Sequence, residues 1–265
     1  MADASIDPTV PNVARMYDFY LGGKDNFAAD REAAEKIIAI VPDVCSTTKA
    51  NRDFLGKAVR LAAEHGVRQF LDIGAGLPTQ ENVHQVAQRA APGSKTVYVD
   101  NDPVVLVHAR ALLDDSKDTR AVQGDLRRPQ EILDHPEVRD HLDLSQPVAV
   151  LMLAVLHFLP GHDEAARIVE TVKQAIPPGG FLLLSHFYTP DEQERKVQAG
   201  GRVYQSTNSG SLTARSLERI TGYFSGLELV EPGLVPVQAW RPDWEEDSVF
   251  DLSVPGLLGG MARVP

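Results

Sequence analysis

After Gly66 the chain alternates short apolar runs with amphipathic stretches, and this rhythm restricts the fold more than any other feature of the sequence. Gln69–Ile73, Thr96–Val99, Ala121-Val122, Val148–Leu153 and Phe181–Leu184 read as strands. Between them, helical spacing predicts helices over Gln80–Ala90, Pro103–Leu113 and Ala165–Ala175. A continuous apolar run such as Val148–Leu153 suits a strand covered on both faces. Strands alternating with helices through short connections predict an open, mostly parallel α/β sheet with helices on both sides. Residues before Gly66 carry no strand signal. Pro11–Ile40, broken at Leu21-Gly22-Gly23-Lys24-Asp25-Asn26, and Ser46–Glu64 predict helices, and Gly66 stands where a C-terminal cap belongs. The division expected is a helical extension or lid over residues 1–66 and one core domain over residues 67–265. Glu228-Leu229-Val230 and Leu234–Trp240 predict two closing strands, the last pair antiparallel.

Bulk properties narrow the class of partner. A hydrophobic fraction of 43% in 265 residues is enough for a substantial core. The formal net charge of -11 argues against nucleic acid, whose phosphates are held by clustered Lys and Arg. With one cysteine, Cys45, no internal disulfide and no thiolate zinc site can form. The first residues lack the basic and apolar regions of a signal peptide, and the apolar stretch ending near Leu159 is too short to span a bilayer. A cytoplasmic protein with no membrane partner is expected.

The segment Phe70-Leu71-Asp72-Ile73-Gly74-Ala75-Gly76-Leu77-Pro78-Thr79 delivers a strand into a two-glycine turn and then a helix. Bare backbone at Gly74 and Gly76, on either side of Ala75, lets a ligand approach closely. Ligands of open α/β sheets bind beyond the carboxyl ends of the strands, where the topology switches. A dinucleotide site wants Gly or Ala where this chain has Thr79, so that the following helix can face a pyrophosphate. Asp72 would also repel a pyrophosphate, whereas it suits a ligand with an ammonium and a sulfonium. The balance shifts from a nicotinamide dinucleotide toward S-adenosylmethionine.

Two further strand ends carry acids. Tyr98-Val99-Asp100-Asn101-Asp102 places Asp100 where a carboxylate can accept both ribose hydroxyls, with Asn101 beside it. Asp102 before Pro103 fits a helix N-cap. Gly124-Asp125-Leu126 offers an acceptor for an adenine amino group and an apolar contact for its ring. Singly these are a turn glycine, a cap and a surface aspartate; on three successive strand ends they form a set.

That set resembles the class I S-adenosylmethionine-dependent methyltransferase pattern. More closely, the chain resembles a bacterial family of S-adenosylmethionine methyltransferases first catalogued as a domain of unknown function. The residues that carry this likeness run from Pro11 through Phe27, then Asn51-Arg52-Asp53-Phe54-Leu55, then Gly74–Thr79. The resemblance implies a Rossmann-like class I methyltransferase fold, a seven-stranded sheet with one antiparallel strand, and S-adenosylmethionine as cofactor. It implies no particular methyl acceptor.

Tyr17, Tyr20, Lys24, Asn26 and Phe27 surround the Gly22-Gly23 break and read as a lid over the cofactor or acceptor, as segments before the first strand often close over the site in this superfamily. The alternative is a helix-turn-helix whose aromatics pack on the sheet, with Lys24 and Asp25 solvated. Arg15, Lys24 and Arg52 are candidates to hold the cofactor carboxylate, as a guanidinium can do bidentately. At the fourth strand end, Ala154 and Val155 read as an apolar cofactor contact. No Asn-Pro-Pro-Tyr-like sequence occurs there, which disfavours amino groups of DNA bases. His157, and His186 after the fifth strand, are the candidate bases, each with packed structural histidine as the alternative. Trp240 and Trp244 read first as end-of-sheet packing, with an acceptor-pocket wall or a homo-oligomer face as alternatives. No metal site is expected. The leading reading is methyl transfer to a small molecule; the alternative is a non-catalytic protein that binds S-adenosylmethionine or S-adenosylhomocysteine in the same fold.

Overall fold

The computed structural model describes residues 7–78, 81–113, 116–190, 201, 203–207, 210–243 and 250–265. Thr79, Gln80 and Trp244, which entered the readings above, lie outside them. Three helices come first: α1 Val13–Tyr20, α2 Ala28–Ile40 and α3 Val44–Glu64. Then β1 Gln69–Ile73, α4 Val83–Ala90, β2 Lys95–Asp100, α5 Pro103–Leu113 and β3 Thr119–Gln123 alternate. Short helices α6 Pro129–Leu133 and α7 Pro136–His141 lead to β4 Ala149–Leu153, α8 His162–Ala175 and β5 Phe181–Tyr188. The chain ends with α9 Leu217–Gly222, the two-residue strands β6 Glu228–Leu229 and β7 Val235–Pro236, and β8 Gly256–Arg263.

Among the described residues the sheet has eight strands, in the order β3-β2-β1-β4-β5-β8-β6, with β7 also paired to β8. β1 to β5 pair in parallel, and β8 runs antiparallel to β5, β6 and β7. One strand thus opposes the rest, as expected, but it is not where the sequence placed it. The predicted closing strands are only β6 and β7, two short pieces on one edge of β8. β8 itself, Gly-Leu-Leu-Gly-Gly-Met-Ala-Arg, escaped notice because glycine is depleted in strands. Its glycines answer close packing: a Cβ on Gly259 would lie 2.9 Å from Val237 and 3.1 Å from Phe54 of α3.

Successive residues of the central strands feed two separate cores. Leu71, Val150, Met152 and Leu182 face the cluster with α8, while Phe70, Leu151, Leu183 and Met261 face the cluster with α3 and α4. Burial on both faces is why these strands read as unbroken apolar runs. α3 ends in a Schellman arrangement at Gly66, with Val67 N–H donating to Ala62 O and Gly66 N–H to Ala63 O, 3.1 Å each. α1 and α2 build a third, smaller cluster around Met16, Tyr20, Ala34 and Ile37, joined by Tyr204. β1 has β2 on one side and β4 on the other. Connections therefore leave in opposite directions at β1, which opens a crevice at the carboxyl ends of the strands.

Candidate functional site

The crevice is a cavity of about 1090 Å³ lined by the tips of β1 to β4, by α1, the end of α2 and the start of α3, and by residues 210–212 and 254–257. Its floor is the turn after β1. Gly74 N–H donates to Val99 O (2.8 Å), folding the turn back over β2. Gly76 N–H donates to Asp100 Oδ2 and Asp102 N–H to Asp100 Oδ1, both at 2.9 Å. Asp100 therefore fixes the turn, and its carboxylate keeps lone pairs for a ligand. Gly76 has a φ of +66° and open space where a Cβ would stand. Gly74 is different: a Cβ there would strike Val155, so packing between the β1 and β4 tips demands glycine.

Asp72, at the end of β1, is buried, and burial pushes its carboxyl up to about 7 against the pull of Arg52, with Asp100 adding to the rise. A buried, half-ionised carboxylate is a strong attractor for a cation. Burial also raises Asp100, opposed by the N–H donors of Asp102 and Gly76. Asp125 is held below the usual carboxylate range by Arg127, which grips both of its oxygens at 2.7–3.0 Å. Leu126 is buried beside it. Ala154, just past β4, has a φ of +51°, held by Ala154 N–H bonding Ser185 Oγ at 2.9 Å. Residues held in such left-handed backbone cluster at ligand sites, and Ala154 lines the cavity.

From the helical side, Asn51 Nδ2 donates to the Tyr17 hydroxyl at 3.0 Å. Asn51 lines the cavity, and its Oδ1 is buried with no hydrogen-bond partner among the described residues. An unsatisfied buried acceptor costs about 1–3 kcal/mol, which a ligand donor would relieve. Arg52 donates to Glu81 O at 3.0 Å and carries its charge toward Asp72. Asn51 is a site residue that sequence reasoning passed over, since nothing in a sequence shows an amide left half-bonded.

One cavity thus collects Tyr17, Tyr20, Arg52, Asp72, Gly74, Ala75, Gly76, Asp100, Asn101, Asp125, Leu126, Ala154 and His157. Three candidates lie elsewhere. Lys24 is exposed and outside the lining. Arg15 is buried against Asp30 (2.8 Å) and also donates to Val10 O, so it is committed to holding α1 to α2. His186 lies inside β5, not after it, and is fully buried: Nδ1 faces Phe187 O at 2.8 Å and Nε2 faces Arg215 at 2.6 Å. It is not among the residues that line the cavity.

His157 does reach the cavity, but burial, with Arg215 behind it, lowers its pKa to about 3. Its Nδ1 already accepts from Phe187 N–H at 3.3 Å. The imidazole is neutral and far too weakly basic for the general-base role expected of it near pH 7. Arg215, also missed in the sequence, adds to the depression that burial causes. It is buried and donates to the carbonyls of Leu156, Leu159 and Gly161 at 2.9–3.1 Å, bracing the 3-10 turn Leu156–Phe158 below the cavity wall. Trp240 packs edge-on against Phe54 at 5.1 Å in the core, which is end-of-sheet packing.

Among the described residues, no helix is long and apolar enough to cross a membrane. A family model described as S-adenosyl methyltransferase matches residues 1–265. A candidate methyltransferase from Thermobifida fusca YX is 39% identical, covering 97% of this chain and 96% of its own, with a TM-score of 0.89. A DUF574 family protein from Streptomyces avermitilis MA-4680 is 40% identical, covering 98% and 100%, also with a TM-score of 0.89. The N-methyltransferase NodS from Bradyrhizobium japonicum WM9, in complex with S-adenosyl-L-homocysteine, shares the fold at 14% identity, 81% and 87% coverage and a TM-score of 0.50. No curated protein matches the chain.

Proposed function

Because the chain belongs to the S-adenosyl methyltransferase family, with S-adenosylmethionine as its cofactor, we propose that it transfers a methyl group to a small-molecule acceptor held in the same cavity. Bound there, S-adenosylmethionine supplies an electrophilic methyl group on a sulfonium. What supports the reading is one observation: Asp72, Asp100 and Asp125 stand on the tips of three neighbouring strands around one deep cavity.

In this proposal the chain's residues divide the cofactor between them. Asp100, fixed by the Gly76 and Asp102 N–H groups, takes the ribose hydroxyls. Asp125 and Leu126 flank the adenine. Asp72 and the bare Oδ1 of Asn51 take the ammonium, and Arg52 takes the carboxylate. α1 is the cover over this end of the site. Its N-cap Asn12 bonds the carboxylate of Asp102, and Ala14 packs on Leu77, Val104 and Val105. Shielding and alignment are the main contributions the chain makes, and orientation alone can supply roughly 7–11 kcal/mol of the barrier. His157 lends a neutral wall, not a base.

A small acceptor is favoured by the cavity's size, which lies near the upper end of small-molecule sites, and by the net charge of -11, which disfavours a phosphate backbone. The test is incubation with methyl-labelled S-adenosylmethionine and a bacterial extract split by size. Label entering the small-molecule fraction is the expected result. Label entering only protein or nucleic acid would overturn the acceptor class, and binding of both cofactor forms with no transfer to any fraction would favour the non-catalytic alternative.

A further inference from the structure

The cavity is divided in chemical character, and the division identifies what else it holds. Carboxylates among its described lining residues stand at or next to the strand tips, apart from Asp43 at the exposed start of α3. The side built by α1, α2, the 3-10 turn, Tyr204 and residues 210–212 is different. Tyr20, Ile37, Val44, Phe158, Tyr204 and Leu212 line it and belong to one apolar cluster separate from both sheet cores. The Phe158 and Tyr204 rings stand 5.6 Å apart at 57°, giving this wall an aromatic corner.

This side has few polar atoms. The Tyr20 hydroxyl is buried and faces the Tyr204 hydroxyl, with which it interacts. Burial first, and that neighbour second, raise its pKa, and burial raises Tyr204 as well, so both phenols stay uncharged. His157 at the border is neutral for the reasons given above. A charged group placed here would lose its hydration without finding a counter-charge, a penalty of several kcal/mol. An apolar ring loses nothing by entry.

We infer that this compartment is the acceptor site and that it selects an uncharged, flat, mainly apolar molecule. This rests on the methyltransferase reading of the cavity, since it assigns the strand-tip half to the cofactor.

The experiment uses the full chain saturated with S-adenosylhomocysteine, with saturation confirmed by calorimetry, and titrates 2-naphthol, naphthalene and 2-naphthoate at neutral pH. 2-Naphthol is expected to bind at least about tenfold more tightly than 2-naphthoate, the cost of an unpaired buried charge being larger than that ratio requires. Leu212→Arg should reverse the order and favour 2-naphthoate, with S-adenosylhomocysteine affinity retained. Equal or tighter binding of 2-naphthoate to the unaltered protein overturns the assignment, as does failure of all three probes on a chain that binds S-adenosylhomocysteine. If S-adenosylhomocysteine itself fails to bind, the cofactor reading falls and this inference with it.

Discussion

Asp72→Asn should make the ligand-free protein more stable while making it a poorer cofactor binder. In the folded chain the Asp72 carboxyl rises from 3.8 to about 7, chiefly through burial. At ~1.4 kcal/mol for each factor of ten, that difference corresponds to about 4 kcal/mol held against the ionised form. The sign follows from proton counting. Between pH 4 and 7 the folded state binds the proton and the unfolded state does not, so stability falls as pH rises through that window. Below it the group is neutral in both states and costs nothing. Above it the full penalty is present. Asparagine removes the penalty, and relief of only half would add about 2 kcal/mol, or roughly 4–8 °C in Tm for a chain of this size. Cofactor affinity moves the other way. Binding of a cation by ionised Asp72 weakens about tenfold per pH unit below 7, and Asp72→Asn removes that dependence along with the attraction. Differential scanning calorimetry and ligand titration at pH 6 and 8 read both effects. A lower Tm for Asp72→Asn at pH 8, or an unaltered pH dependence of affinity, would refute the reasoning.

Three other substitutions probe the remaining parts. Asp100→Ala should weaken S-adenosylhomocysteine binding by roughly 2–3 kcal/mol, because charge-assisted bonds to the ligand and the anchor of the Gly76 turn go together; unchanged affinity by calorimetry removes Asp100 from the site. His157→Gln should leave the pH profile of methyl transfer unchanged between pH 6 and 8, as a group titrating near 3 is neutral throughout; loss of a titration in that range would restore His157 as a base. Asp30→Ala should cost about 3–5 kcal/mol, since Arg15 would be left buried without its partner; urea denaturation showing a smaller loss than about 1 kcal/mol would mean that water reaches the ion pair.

The parts of this molecule that the sequence revealed are those written in periodicity or in a single residue type. β1 to β5 announce themselves as apolar runs because both faces are covered, and the acidic strand tips follow from what such runs end in. β8 stayed hidden because Gly259 and Gly260 yield to neighbouring side chains, so the residues chosen for packing erase the strand signal. β5 was cut short at Leu184 for a related reason: Ser185 and His186 look like a strand end, yet both are buried, one bonding Ala154 and the other Arg215. Arginines showed the sharpest limit. Arg15, Arg52 and Arg215 are alike on paper, but one locks two helices, one faces Asp72 and one supports a loop through carbonyls. Only the tertiary fold distributes those roles.

The most direct measurement is a crystal structure of the chain with S-adenosylhomocysteine. It should show the ribose hydroxyls within hydrogen-bonding distance of Asp100, the adenine between Asp125 and Leu126, and the ammonium against Asp72 and Asn51. A nucleoside seated elsewhere, with the ends of β1, β2 and β3 untouched by ligand, would contradict the account.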